Sequence, residues 1–233
     1  MPCTLPASLA DAAVCRGSFH AVLGREAGEA VFADFSAALQ KAQADGRILT
    51  ASLFRYENHL FFYAEGLNRP FTPQGLCPAL DAALLPWPPA LGEAAPRPWA
   101  AMQPYFYHDV PTTAADWQQG RCPQRRRGRI ALLPPDSWCS YMEHHLRIVT
   151  EGLGEGDRWH LICVQEGVLF SYLEEPRTNV NIKHRPGAHS PELDAWIAAD
   201  PESHFARFTP EQKAHPDSGH NFVFLPRIAG TED

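Results

Sequence analysis

The chain repeats itself once, and this limits its fold more than any other feature. Asn58–Gly66 reads NHLFFYAEG and Gly167–Glu175 reads GVLFSYLEE. Leu60, Phe61, Tyr63 and Glu65 therefore recur as Leu169, Phe170, Tyr172 and Glu174, at a constant offset of 109. Self-similarity at a fixed distance marks a repeated structural unit. The surroundings repeat in kind: an apolar strand pattern, a helix pattern, two strands about a tight turn, a second helix pattern and an aromatic strand. In the first half these fall at Ser18–Leu23, Glu26–Ala44, Ile48–Tyr56, Leu60–Glu65, Pro78–Leu85 and Tyr105–Val110. In the second they fall at Arg129–Leu133, Asp136–Glu151, Arg158–Val164, Leu169–Glu174, Pro191–Ala199 and Asn221–Leu225.

The order β-α-β-β-α-β is that of the ferredoxin-like unit, an antiparallel sheet with helices on one face. The uncovered face is aromatic and β-branched and must be buried. Two such units can bury those faces against each other. The expected class is α+β: two tandem ferredoxin-like units, residues 16–111 and 129–227, forming a pseudo-dimeric α/β barrel. A cavity between sheet and helix, or between sheets, would hold a small ligand. Thr112–Gly128 is polar, punctuated by Gly and Pro and arginine-rich, so a linker is expected there. The basic run Arg125-Arg126-Arg127, with Arg129 just beyond Gly128, is expected to be a set of solvated charges at that linker.

A chain of 233 residues, 45% apolar and 20% charged, has enough material for a core without disulfides or metals. The formal charge of −7 disfavours nucleic acid, whose phosphates need a basic surface. No apolar run approaches the ~18 residues of a membrane span. Cys3, Cys15, Cys77, Cys122, Cys139 and Cys163 show no CxxC and no regular spacing, and no secretory signal is visible. Reduced thiols in a cytoplasmic protein are the expectation. His184, His189, His204, His215 and His220 form a loose group among prolines and polar residues, without metal-ligand spacing. Neither a metal nor a cofactor is expected.

The chemistry concentrates on one helix pattern. Trp138, Tyr141, Met142, His145, Ile148 and Val149 recur at three- and four-residue steps and predict a buried stripe. Tyr141 and His145 are i,i+4 neighbours whose side chains lie together. A histidine in that position is either a hydrogen-bonded core group or an acid/base. The first half has Phe32 and Ser36 at the corresponding places, so the chain is expected to hold one site at most.

Pro135-Asp136, Tyr141, His145 and Glu151 also have the spacing of the first helix of the L-rhamnose mutarotase family, which the second half resembles over roughly Arg129–Arg227. That family consists of ferredoxin-like units paired into a dimeric α/β barrel. The resemblance implies a cofactor-free sugar isomerase acting on a monosaccharide, as a monomer or homodimer. It puts the catalytic histidine at His145 and the helix tyrosine at Tyr141. Mutarotation needs a proton delivered to the ring oxygen and one removed from the anomeric hydroxyl, which a histidine near pKa ~6.5 can do. Trp159, His160, Tyr172 and Phe205 are the candidate substrate contacts. The family's Asn-Pro is Leu146-Arg147 here, its paired tryptophans fall on Phe205-Ala206, and its second-strand tyrosine has no clear match. These departures motivate a second reading, a ligand-binding module without turnover. A third, a cofactor-free monooxygenase or haem-binding relative, rests on fold analogy.

Overall fold

The computed structural model describes residues 6–177, 182–213 and 217–231, so Cys3 and His215 lie outside the described residues. The protein is α+β with antiparallel sheets, divided into two compact units that do not follow the chain continuously. Unit 1 comprises residues 1–102, 111–122 and 226–233, and unit 2 comprises residues 103–110 and 123–225.

Unit 1 begins with β1 (Val14–Val22), which pairs antiparallel over its full length with β3 (His59–Leu67). Between them lie α1 (Glu29–Ala44) and β2 (Ile48–Tyr56), the latter forming a hairpin with β3. Tyr56 pairs with His59, so the hairpin turns through Glu57-Asn58. Glu57 takes a φ of 52°, a positive value of the kind that primed two-residue turns require. The short α2 (Pro78–Asp81), β4 (Ala100–Ala101) and α3 (Ala114–Gln118) follow, and β12 (Arg227–Gly230) closes the other edge. The sheet order is β12-β2-β3-β1-β4. Helix α1 buries Phe32, Phe35, Leu39 and Ala42 on one face. Phe35 and Leu39 are fully buried, and each contributes roughly 1.5–3 kcal/mol.

Unit 2 repeats the plan. Its strands are β6 (Arg125–Leu132), β8 (Leu161–Gln165), β9 (Val168–Glu175), β11 (Val223–Leu225) and, on the far edge, β5 (Gln103–Tyr107). The order is β11-β6-β9-β8-β5, and β7 (Gly154–Glu155) pairs separately with β10 (Lys183–His184). The β8–β9 hairpin turns through Glu166 (φ 50°) and Gly167 (φ 77°). A Cβ on Gly167 would also lie 2.8 Å from the Leu133 carbonyl oxygen, so both backbone and space call for glycine. Helix α4 (Pro135–Glu151) starts with proline in its first turn, where the missing N–H costs nothing. It stops at Gly152, left-handed at φ 70°, whose N–H donates to the Ile148 carbonyl, a common helix ending. Helix α5 (Pro191–Ala198) is capped by Ser190, whose hydroxyl accepts from the Leu193 N–H at 3.0 Å and so satisfies a donor the helix itself cannot.

Three expectations need correction. Tyr105–Val110 does not close the sheet of the first half: β4 does that, and β5 pairs with β8. Arg125–Arg127 is the start of β6, not linker. Arg126 lies 3.7 Å from Glu174, and Arg127 pairs with Glu175 at 3.0 Å and Asp217 at 2.9 Å, so acidic neighbours on β9 and beyond neutralise the run. Helix α3, within the expected linker, buries Trp117 completely.

The repeated Tyr-x-Glu of the two hairpins has a structural cause. The Tyr63 hydroxyl donates to Glu65 at 2.7 Å, and Tyr172 donates to Glu174 at 2.6 Å. Glu65 also accepts both Arg121 terminal nitrogens at 2.7 and 2.9 Å, in a pair with 2% and 0% side-chain exposure. Burial alone would raise the Glu65 carboxyl, but Arg121 outweighs it and holds the group below its ordinary value. Among the described residues the five cysteines are free, and no helix is long and apolar enough to cross a membrane.

Candidate functional site

In unit 2 the buried stripe of α4 is narrower than its periodicity suggests. Tyr141, His145 and Ile148 are buried. Trp138 is 40% exposed, because it stands with Met142 and Leu146 on the adjoining row of the helix, along an open surface groove. The charged groups along that groove, Glu143, Arg147 and Glu192, are joined in exposed ion pairs. The chemistry lies on the other side of α4.

There a cavity of about 470 Å³, partly open to solvent, lies between α4, α5, the sheet and the segments around Asp157 and Glu202. This size suits a small organic molecule. His145 forms one wall and is 4% exposed. Its ring lies among aromatic rings: Tyr141 at 4.2 Å between centroids, Trp196 at 4.6 Å, Phe106 at 4.9 Å and Tyr105 at 5.5 Å. Nδ1 sits 2.9 Å from the Tyr141 backbone carbonyl oxygen. A carbonyl can only accept, so Nδ1 carries the proton and Nε2 keeps its lone pair. Burial disfavours the charged ring. Reinforced by His144 and His204 against the opposing effect of the Tyr141 carbonyl, it lowers the His145 pKa to about 4. At neutral pH the ring is uncharged. It can take a proton and has none to deliver as an imidazolium acid. Burial also raises the Tyr141 phenol to about 12 and holds Tyr105 well above its ordinary value.

The remaining expected contacts divide. His160 (5% exposed) and Phe205 (8%) line the cavity with Tyr141 and His145, and the Phe205 ring lies 5.1 Å from that of Tyr141. Trp159 does not line it: β8 begins at Leu161, so Trp159 sits in the preceding turn. Tyr172 is on the wrong face. Ser171 pairs with Ile162 and Arg129, both cavity residues. Tyr172, one position on, therefore points through the sheet to its other side.

Sequence reasoning missed Phe106, Arg129, Trp196 and the Asp157–Arg177 pair. Trp196 follows Leu193 by three residues on the buried stripe of α5, a readable signal. Arg129 alternates with Ala131 and Leu133, both core residues of the helix-covered face, and so points inward with them. Its Nε is fully buried without a hydrogen-bond partner, and its guanidinium carbon stands 4.2 Å from the Phe222 ring centroid. Burial, with Arg177 nearby, lowers its pKa to about 10, which leaves it charged at neutral pH. Arg177 is neutralised by Asp157, to which its Nε donates. Among the described residues no three His, Cys, Asp or Glu side chains converge as a metal ion would need.

No protein-family model matches the chain, and no curated protein matches it. Solved structures do align with it. Two carry the description "putative monooxygenase". The one from Fusobacterium nucleatum subsp. nucleatum ATCC 25586 aligns at 10% identity and TM-score 0.40, over 94% of each chain. The one from Lactobacillus acidophilus NCFM aligns at 6% and 0.38, over 94% of this chain and 96% of that one. An anthrone oxidase-like protein aligns at 6% and 0.35, over 93% and 95%. None of the three is a mutarotase. The resemblance to that family, and the isomerase activity it implied, are set aside, since the solved structures that align are described otherwise.

Proposed function

We propose that unit 2 carries a small-molecule site for a planar, largely apolar substrate with a weakly acidic ring C–H, and that His145 removes that proton in a cofactor-free oxygenation. The observation that carries this reading is the state of His145: an uncharged ring whose Nδ1–H is committed to the Tyr141 carbonyl, leaving Nε2 as a base in an aromatic-walled chamber. The walls at Phe106, Trp196 and Phe205 suit a flat ligand. The two further strands of the proposal are structural. Each unit is a ferredoxin-like βαββαβ with one added edge strand, and the chain arose as a tandem duplicate.

The chemistry balances without a metal or organic cofactor. His145 Nε2 takes a proton from a ring CH₂, and the electron pair of the broken C–H bond remains on carbon. One electron passes to dioxygen, and the resulting radical pair joins through a C–O bond. The peroxide anion regains its proton from the imidazolium. Loss of water, using the second hydrogen of the CH₂, leaves C=O. The sum is CH₂ + O₂ → C=O + H₂O.

The test is dioxygen uptake with anthrone and related enolisable polycycles, followed by electrode and by the absorbance of the quinone. Uptake should exceed the uncatalysed rate, and His145→Gln should remove at least about 100-fold of the enhancement, the usual scale of a lost general base. Because burial lowers the His145 value to about 4, the base is available above about pH 5 and lost as the pH falls further, so the rate should be flat from about 5 to 8. No enhancement over buffer, or full activity in His145→Gln, refutes the proposal.

A further inference from the structure

The cavity contains one cation that makes no ion pair with the described residues, the Glu202 carboxylate acting on it only from a distance. Arg129 makes no ion pair and no side-chain hydrogen bond among them; its recorded contact is the face of Phe222. The two carboxylates that line the same chamber are already engaged. Asp157 accepts from Arg177 Nε, and Glu202 accepts from Asn221 Nδ2. Withdrawing a guanidinium from water without a carboxylate is costly, and a buried donor left unpaired calls for a specific cause, a bound anion among them.

We infer that Arg129 receives an oxygen anion of the ligand, so that this site takes aromatic carboxylates or phenolates in preference to their neutral analogues. This rests on the reading of the cavity as a small-molecule site, and it names the substrate class. The planar guanidinium offers up to five donors, and a ligand oxygen placed against it forms charge-assisted bonds. Phe222, stacked on the same group, cannot supply them. Arg129 acts on binding and on the ionisation of the ligand. His145 Nε2, on α4, remains the base for the C–H proton.

The two anion sources separate by experiment. Binding of 2-naphthoate, of the chromogenic 4-nitro-1-naphthol and of neutral 2-methoxynaphthalene is measured by titration calorimetry against the wild-type chain, Arg129→Gln and Arg129→Lys. The wild type should bind at least one of the two anions about 10- to 100-fold more tightly than the neutral ether, the scale of a hydrogen bond to a charged group. Whichever of the carboxylate and phenolate is favoured identifies the source. If it is the phenolate, the bound naphthol should ionise at a pH below that of the free compound, and this displacement should vanish in Arg129→Gln. The neutral ether should change by less than about threefold in that variant, which also reports that the cavity is intact. Arg129→Lys should retain part of the anion preference. If the ether binds and neither anion is favoured, or the preference survives in Arg129→Gln, this inference falls and the site remains. If none of the three ligands binds the wild type, the small-molecule reading falls with it.

Discussion

Lowering the pH should destabilise this protein through His145, by an amount the structure allows to be worked out. In the unfolded chain its imidazole has an ordinary value of 6.5; in the fold, burial holds it at about 4. A depressed histidine binds protons more readily unfolded than folded, so stability falls as pH drops from about 6.5 toward 4 and is unaffected above that window. The whole gap corresponds to about 3 kcal/mol, of which about 2 kcal/mol is lost by pH 5. Burial likewise lowers His59 and His108, which lose stability in the same direction. The comparison with His145→Gln cancels them. Urea unfolding of both proteins at pH 7.5, 6 and 5 should therefore show the wild type losing about 2 kcal/mol more than the variant between the extremes. Parallel pH profiles would refute the argument, as would an NMR titration in which the His145 ring protonates near its ordinary value.

Glu65→Gln leaves Arg121 buried without its carboxylate and should cost about 3–5 kcal/mol in urea or thermal unfolding. Phe35→Ala removes a fully buried ring set edge-on to Phe62 and stacked on Trp99, and should cost about 3–5 kcal/mol by the same measurement. At Gly152 an added Cβ meets nothing within 4 Å, so Gly152→Ala should cost about 1 kcal/mol through backbone strain alone. An unchanged midpoint would show that the left-handed cap is not needed.

Much of the local structure was legible in the sequence. Helix α1 declared itself by Phe32, Phe35 and Leu39 at helical spacing, and each hairpin by its turn and its Leu-Phe-x-Tyr-x-Glu strand. What could not be read was which strand meets which edge. Phe106 and Tyr107 have the character of a strand, but nothing local says that their partners are Ile162 and Leu161 rather than residues of the first half. The arginines at 125–127 look solvated until Glu174, Glu175 and Asp217, distant in sequence, are placed beside them. At the site, Tyr141 and His145 were visible because one helix carries both. Tyr172 was misplaced because a strand's two faces differ by a single residue. Arg129, although it opens the expected strand Arg129–Leu133, was grouped with the solvated charges at 125–127, while its alternation with Ala131 and Leu133 already turned it inward.

The edge strand β12 has a consequence for how the chain reaches its folded state. It seals β2 through Arg227, Ala229 and Gly230, and Thr231 ties back to Thr50, 181 residues earlier. At the usual pace of a ribosome, about 5–20 residues per second, that interval is about 10–35 s. During it Leu53 and Phe54 present an unsatisfied edge, the kind of template on which nascent chains associate.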